Sequence, residues 1–179
     1  CMNAELRELT PHDAQLLHTF FAEVPAEDRA FFKEDVTDPA VAERWARDQR
    51  GVRRLAVDGD GRMVAFGGLV PGVGGSSHVA EIVVVVAGRA RRLGLGRSLA
   101  RRMLVGALEH DFKKVIVETA ADNTAAVQMF QKLGFEPEAL LRDHLYGRDG
   151  EIHDIIILAH GVDETWSAML SGGLDEAVR

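Results

Sequence analysis

The sequence predicts an α+β or α/β fold, a single domain built on one sheet, and two observations lead to this prediction. The hydrophobic pattern gives elements in the order β-α-α-β-β-β-α-β-α-β-β, which is typical of helices packed on a common sheet. Residues 82–87 are all apolar with no polar alternation, as in a central strand covered on both faces. We expect residues 2–160 to form the domain and residues 161–179 to be a tail with a candidate short helix.

Capping signals place the elements of the N-terminal half. Thr10-Pro11 and Asp38-Pro39 each combine an N-cap residue with a proline at the first helical position, and Asp13 completes a capping-box pattern with Thr10. The stretch Asp58-Gly59-Asp60-Gly61 is typical of a hairpin turn. We therefore expect strands at 4–9, 53–57 and 63–70, and helices at 11–23 and 39–47.

In the C-terminal half, buried strands alternate with helices before a final pair of strands. Asp122 is the expected N-cap of a helix that ends at Leu133, because Gly134 follows it. A turn is expected at 147–150. The predicted strands are 78–87, 113–119, 135–146 and 151–159, and the predicted helices are 94–109 and 122–133.

The composition excludes several classes of function. The net charge of −7 argues against a nucleic-acid binder. No apolar run approaches the ~20 residues that cross a bilayer, and no signal-peptide pattern opens the chain, so we expect no membrane association and a cytoplasmic protein. Cys1 is the only cysteine, which excludes an internal disulfide, and it precedes Met2, which we expect to be the native start.

A metal site is not predicted. Four residues near the C-terminus invite that interpretation, but their spacing matches no known ligand pattern. These residues are His144, His153, Asp154 and His160.

The most informative segment is AGRARRLGLG, residues 87–96, between a buried strand and a helix. The first turn of a helix offers N–H groups without intrahelical partners and the positive end of the helix dipole. Glycine lets that backbone approach a ligand closely, and arginine pairs with phosphate oxygens. The segment therefore predicts a phosphate or pyrophosphate site, against the plainer interpretation of a basic surface turn.

Two other phosphate-binding designs fit less well. A P-loop requires G-x-x-x-x-G-K-[ST], which is absent. A dinucleotide site requires G-x-G-x-x-G, and Gly94-Leu95-Gly96 is followed by Leu99 where the third glycine should be. Glu118 lies where a ribose-binding acid is expected, so the dinucleotide interpretation remains the alternative.

Two motifs resemble the GCN5-related N-acetyltransferase (GNAT) family. Residues 91–96 match its R/Q-x-x-G-x-G/A acyl-CoA loop, and residues 123–135 resemble its N-x-x-A-x-x-x-[YF]-x-x-x-G-F segment. The resemblance covers residues 5–159. It implies a mixed, mostly antiparallel sheet with splayed central strands and helices on both faces. It also implies transfer of an acetyl group from acetyl-CoA to a primary amine, by direct attack in a ternary complex.

The same resemblance implies a set of cofactor-binding residues. Strand backbone would hold the pantetheine arm, the arginine-glycine loop would hold the pyrophosphate, and the second motif would supply an amide near the arm and an aromatic ring near the thiol. These residues are Val84, Val86, Arg91, Arg92, Leu93, Gly94, Leu95, Gly96, Arg97, Ser98, Asn123 and Phe130.

Glu81 is the expected catalytic base, because it interrupts an apolar strand where a buried carboxylate is costly unless paired or functional. The alternative is a solvated strand end or an arginine partner. Many relatives carry a tyrosine where Phe130 stands, so the acid for the CoA thiolate is open and Tyr146 is the candidate. That departure also leaves a second function open, an acyl-CoA-binding sensor without catalysis.

The fold would place an acceptor wall at residues 20–45, which is rich in acids and aromatics. This composition suits a cationic amine, unless the rings fill the core and the acids are merely solvated. The tail after His160 is a candidate contact with a second subunit, as in a homodimer.

Overall fold

The computed structural model describes residues 4–48, 50–147 and 150–163, and the predicted tail helix lies outside them. A 3-10 turn, Pro11–Asp13, leads into the first helix. The strands are β1 Glu5–Glu8, β2 Arg53–Val57, β3 Met63–Pro71, β4 Val79–Val86, β5 Lys114–Ala120, β6 Glu136–Tyr146 and β7 Ile152–Gly161. The helices are α1 Ala14–Glu23, α2 Ala26–Arg29, α3 Pro39–Arg47, α4 Leu95–Glu109 and α5 Thr124–Lys132.

The seven strands form one mixed sheet in the order β1-β2-β3-β4-β5-β7-β6, which confirms the predicted fold class. The pairs β1–β2, β2–β3, β5–β7 and β6–β7 are antiparallel, and β4–β5 is parallel. No helix among the described residues combines the length and the hydropathy that a membrane span requires.

The parallel pairing of β4 with β5 is short. Its register covers Val79–Glu81 against Lys114–Ile116. β4 continues to Val86 and β5 continues to Ala120, so the paired register ends at Glu81 although both strands go on.

Contacts group the described residues into two compact units. The first ends at Gly68 and resumes over Val83–Leu99, and the second consists of Leu69–Ile82 and the residues from Ala100 onwards.

In the first unit, two apolar clusters lie on opposite faces of the sheet. Val85 contributes to one cluster with residues of α1 and α3, while its neighbours Val84 and Val86 contribute to the other with residues of α4. Because successive strand residues point to opposite faces, this division means that β4 is covered on both sides. The expectation of a doubly covered central strand is confirmed.

Helix α4 lies very close to β3. A Cβ added at Gly67 would approach the Leu99 side chain to 3.2 Å, a distance at which one of the two would have to shift. Glycine at this position therefore allows α4 to pack tightly, and Leu99 is completely buried.

Several local predictions match the structure, and one is wrong. The Asp58 turn closes β2–β3, with Asp58 Oδ1 accepting from the N–H groups of Asp60 and Arg62 at 3.0 and 2.9 Å. The N-cap of α5 is Asn123 rather than Asp122, since Asn123 Oδ1 accepts from the Ala126 N–H at 3.2 Å. Both residue types cap helices well, so the sequence alone did not discriminate between them.

An ion pair ties β1 to the turn before α1. Arg7 donates from both terminal nitrogens to the Asp13 carboxylate at 2.7 Å, and Thr10 donates to Asp13 Oδ2 from N–H and hydroxyl at 2.8 Å. The hydrogen bonds from Arg7, with those from Thr10, lower the pKa of Asp13 from 3.8 to about 2, although burial opposes the shift. These hydrogen bonds therefore offset the cost of burying the Asp13 carboxylate.

Asp13→Asn is expected to lower the free energy of unfolding at pH 7 by about 2 kcal/mol, because asparagine cannot replace the bidentate pair. Since the pKa is depressed on folding, this stabilisation is present above roughly pH 4 and is lost as the pH falls towards about 2. Urea titrations across that range should show a smaller pH dependence in the variant. Asp60→Asn, the same charge change at an exposed turn, is the control, and an equal loss in both variants would contradict the assignment.

Candidate active site

The segment that joins β4 to α4 is anchored at both ends. The Ala87 N–H donates to the Val64 carbonyl at 2.9 Å, and a 3-10 turn over Gly88–Ala90 buries the Ala90 side chain. At the start of α4, the side chains of Leu95 and Leu99 are buried. The exposed residues 91–94 between these anchors are therefore held as a short bridge of fixed length.

The backbone of this bridge has an unusual conformation. Arg92 and Gly94 have φ angles of 64° and 81°, on either side of Leu93. Left-handed residues in such a turn direct N–H groups towards one side, where they form a concavity that suits anions. The first intrahelical bond of α4 joins the Ser98 N–H to the Gly94 carbonyl at 3.0 Å. The N–H groups of residues 95–97 precede that bond and have no partner within the helix.

The arginines of the segment divide into two pairs. Arg89 donates to the Met63 carbonyl at 3.1 Å and lies 3.8 Å from Glu23. Arg91 donates from Nε to the Val86 carbonyl at 3.2 Å and from Nη2 to Asp28 at 2.6 Å. Within the described residues, Arg92 and Arg97 form no side-chain hydrogen bond or ion pair, and both are exposed. Two of the guanidinium groups next to the helix N-terminus are thus available to an anion.

The acids of the predicted acceptor wall are engaged with the protein itself. Glu34 accepts from Arg44 and from the Trp45 indole, the latter at 2.9 Å. Asp38 caps α3 by accepting from the Ala40 N–H at 2.9 Å. The Thr37 hydroxyl and N–H bond to Asp35 and lower the pKa of its carboxyl.

The aromatic side chains of the same region belong to the core. Phe21 makes edge contacts with Phe20, Phe32, Trp45 and Phe66. Phe20, Phe21 and Trp45 are buried, and Phe32 is partly buried against them. This packing accounts for the rings without an acceptor and favours the core interpretation.

The predicted catalytic residues and the residues of the second motif lie in the second unit, whereas Val84 and Val86 lie in the first. Glu81 is half-buried on β4, opposite Ile116 at the last paired position of the parallel register. Asn123 is exposed at the start of α5, and its side-chain oxygen is used by the cap. Phe130 is buried and makes an edge contact with Phe135, with ring centroids 5.2 Å apart. Tyr146 ends β6 with 76% of its surface exposed.

The histidines and acids near the C-terminus have other neighbours. His153 Nδ1 lies 3.2 Å from Asp122 Oδ2, and Asp154 Oδ1 accepts from the Asp143 N–H at 2.9 Å. His160 is buried against the ring of Phe135. Among the described residues, no group of three or more histidines, cysteines or acids is arranged to hold a metal ion.

Sequence reasoning did not find the contacts of Arg89 and Arg91. Glu23 and Asp28 were assigned to an acceptor wall, but each is an ion-pair partner of a loop arginine. Arg91 and Asp28 are 63 positions apart, so no local pattern indicates the pair.

Comparisons with known proteins agree with this fold. A family model described as "Acetyltransferase (GNAT) family" matches residues 17–135, well over half of the chain. The chain is 30% identical to "Uncharacterized N-acetyltransferase YjgM" of Escherichia coli (strain K12) over 138 residues, which are 73% of this chain and 81% of that protein.

One further relative matches over a shorter stretch, and one solved structure matches over most of the chain. "Mycothiol acetyltransferase" of Arthrobacter sp. (strain FB24) is 37% identical over 84 residues, 45% of this chain and only 26% of that protein. The structure of an acetyltransferase of the GNAT family from Streptococcus pneumoniae superimposes with a TM-score of 0.75 at 20% identity, covering 89% of this chain and 99% of that chain. This last likeness shows the fold.

The chain belongs to the acetyltransferase (GNAT) family, and its class of enzyme is acyltransferase. Proteins of this family use acetyl-CoA as co-substrate. The resemblance stated from the two sequence motifs is thereby confirmed.

Gly94→Ala is expected to lower the free energy of unfolding by about 1 kcal/mol, because a Cβ is unfavourable at a φ of 81°. No atom lies within 4 Å of the added Cβ, so the cost comes from the backbone alone. Gly88→Ala is the matched control: it lies in the same loop, also in open space, without a positive φ. Urea unfolding should separate the two variants, and equal midpoints would contradict the argument.

Proposed function

We propose that the protein transfers an acetyl group from acetyl-CoA to a primary amine of a small molecule or a protein. The observation that carries the proposal is the β4–α4 bridge, with its left-handed turn and the unengaged Arg92 and Arg97. A helix N-terminus flanked by free guanidinium groups suits a pyrophosphate, and acetyl-CoA brings a pyrophosphate. Membership of the GNAT family supplies the same co-substrate.

The donor is bound by backbone and side chains together. The N–H groups of residues 93–97 and the Ser98 hydroxyl receive the pyrophosphate, and Arg91, Arg92 and Arg97 neutralise its charge. The pantetheine arm uses the backbone of Val84 and Val86, in the last part of β4. Asn123 contributes a side-chain amide, and Phe130 contributes apolar surface near the thiol.

Glu81 accepts the proton of the attacking amine in this proposal, directly or through water. It is the carboxylate of β4, and its half-buried position allows contact with solvent or substrate. The chain has a single cysteine, Cys1, which precedes Met2, so the residues from Met2 onwards include no thiol that could carry an acyl group. The amine therefore attacks the thioester directly in a ternary complex.

A second candidate, an acyl-CoA-binding sensor, is supported by the absence of an evident acid. Phe130 has no hydroxyl and is buried against Phe135, and Tyr146 is largely exposed at the end of β6. If the protein catalyses the transfer, water must protonate the CoA thiolate, which is a fairly good leaving group. A sensor would bind acetyl-CoA without releasing CoA across a broad panel of amines.

Arg97→Glu is expected to weaken acetyl-CoA binding about 10- to 100-fold, because a charge-assisted contact becomes a repulsion. A glutamate in the first turn of α4 suits the helix dipole, so the fold should persist. Calorimetric titration with acetyl-CoA measures the change, and NAD and NADP serve as competitors. Preference for NAD or NADP would favour the dinucleotide interpretation instead.

The control for that titration is Arg62→Glu, the same charge reversal at the exposed β2–β3 turn. It tests whether net charge alone weakens binding of a polyanion. Equal losses in the two variants would argue against a specific role of the α4 N-terminus.

Glu81→Gln is expected to lower kcat about 100-fold and to remove the acidic limb of the kcat–pH profile, because the general base is lost. The affinity for acetyl-CoA should stay near the wild-type value. Continuous detection of CoA release with a panel of primary amines measures the rate. Glu118→Gln on β5 is the control with the same charge change, and an unchanged rate in Glu81→Gln at every pH would remove Glu81 from the mechanism.

A further inference from the structure

The Arg91 side chain is held at two points within the first unit. Its Nε donates to the Val86 carbonyl at 3.2 Å, and its Nη2 donates to Asp28 Oδ2 at 2.6 Å. The side chain of Arg91 is 52% exposed and that of Asp28 is 28% exposed. The ion pair between Arg91 and Asp28 is therefore short and charge-assisted but still open to solvent.

Arg91 and its backbone partner Val86 both belong to the donor site that we propose. Val86 offers its backbone to the pantetheine arm, and the Arg91 guanidinium pairs with the pyrophosphate, so the following inference rests on the proposed function. We infer that Asp28 is a positioning residue: an internal counter-ion of Arg91 that acetyl-CoA must displace. The Asp28 carboxylate takes the place of a phosphate oxygen while the donor is absent.

The exchange can be written contact by contact. Arg91 leaves the Asp28 carboxylate and the Val86 carbonyl and pairs with a phosphate oxygen of CoA. The Val86 carbonyl then accepts from a pantetheine amide instead of from Nε. Asp28 returns to solvent on α2. The donor must break this ion pair in order to bind. Since a solvent-exposed ion pair contributes little, this cost lowers the donor affinity of the wild-type protein by only about two- to fivefold.

The other loop arginines do not share this property. Arg92 and Arg97 have no internal acid to displace within the described residues. Arg89 is 3.8 Å from Glu23, and its short contact at 3.1 Å is with the Met63 carbonyl. Arg91 is thus the loop arginine that pairs closely with an acid and also donates to a backbone carbonyl of the proposed donor site.

Titration of the full chain with CoA, which cannot be turned over, tests the inference. Asp28→Asn is expected to bind CoA about two- to fivefold more tightly than wild type, with the KM for acetyl-CoA falling by the same factor and kcat unchanged. Asp28→Glu, which keeps the charge, is expected to stay near wild type. Glu43→Gln on α3, an exposed residue with an ion pair to Arg47 at 3.9 Å, controls for net charge and is expected to bind as wild type does.

A double-mutant cycle shows whether Asp28 acts through Arg91. In an Arg91→Ala background, Asp28→Asn is expected to leave the CoA affinity unchanged. Binding that is unchanged or weaker in Asp28→Asn, or equally tightened in Glu43→Gln, would overturn the inference while leaving the proposed function intact. A wild-type protein that binds no CoA at all would overturn both, and thermal unfolding of each variant confirms that the comparison is between folded proteins.

Discussion

The structure depends on one constraint, the connection of a doubly covered strand to a tightly packed helix. Apolar side chains of β4 pack on both faces of the sheet, buried on one and partly buried on the other, and Leu99 of α4 packs against Gly67 of β3. Neither element can shift without losing buried apolar area. The bridge must therefore span a fixed gap in few residues, and it does so with left-handed backbone at Arg92 and Gly94. A concavity of N–H groups at the start of α4 follows from this geometry.

The second theme is the compensation of charge. The chain carries 28 acids against 21 lysines and arginines, yet its donor site needs positive charge. Several of the acids at residues 23–38 are engaged internally, in ion pairs with arginines, at a helix N-terminus or in a hydrogen bond from a threonine. Asp28 is bonded to an arginine of the donor loop itself. In our proposal, affinity for the donor is set by Arg92 and Arg97, which have no internal partner among the described residues, and by Arg91, which has one.

The catalytic groups are less evident than the donor loop because the two rest on different physics. Pyrophosphate binding uses backbone N–H groups, which any sequence with suitable glycines and helix position can supply. Proton transfer needs particular side chains at particular distances. In our proposal Glu81 is such a side chain, a carboxylate at the last paired position of the β4–β5 register. Phe130 is used for packing, which leaves solvent as the acid for the thiolate in our proposal.

Local rules of the sequence determined most of the elements and the donor loop. Capping residues with proline set the starts of the first helices, an acidic glycine turn set the first hairpin, and the motif at 91–96 indicated the anion site that we propose. Contacts between distant residues were decided only by the tertiary structure. They include the burial of Phe20, Phe21 and Trp45 and the ion pair between Asp28 and Arg91. The extent of the β4–β5 register, which ends at Glu81, is another example. The reason is physical. Caps, turns and helix starts depend on neighbours within a few residues, whereas a packed ring or an ion pair depends on which distant segments the fold brings into contact.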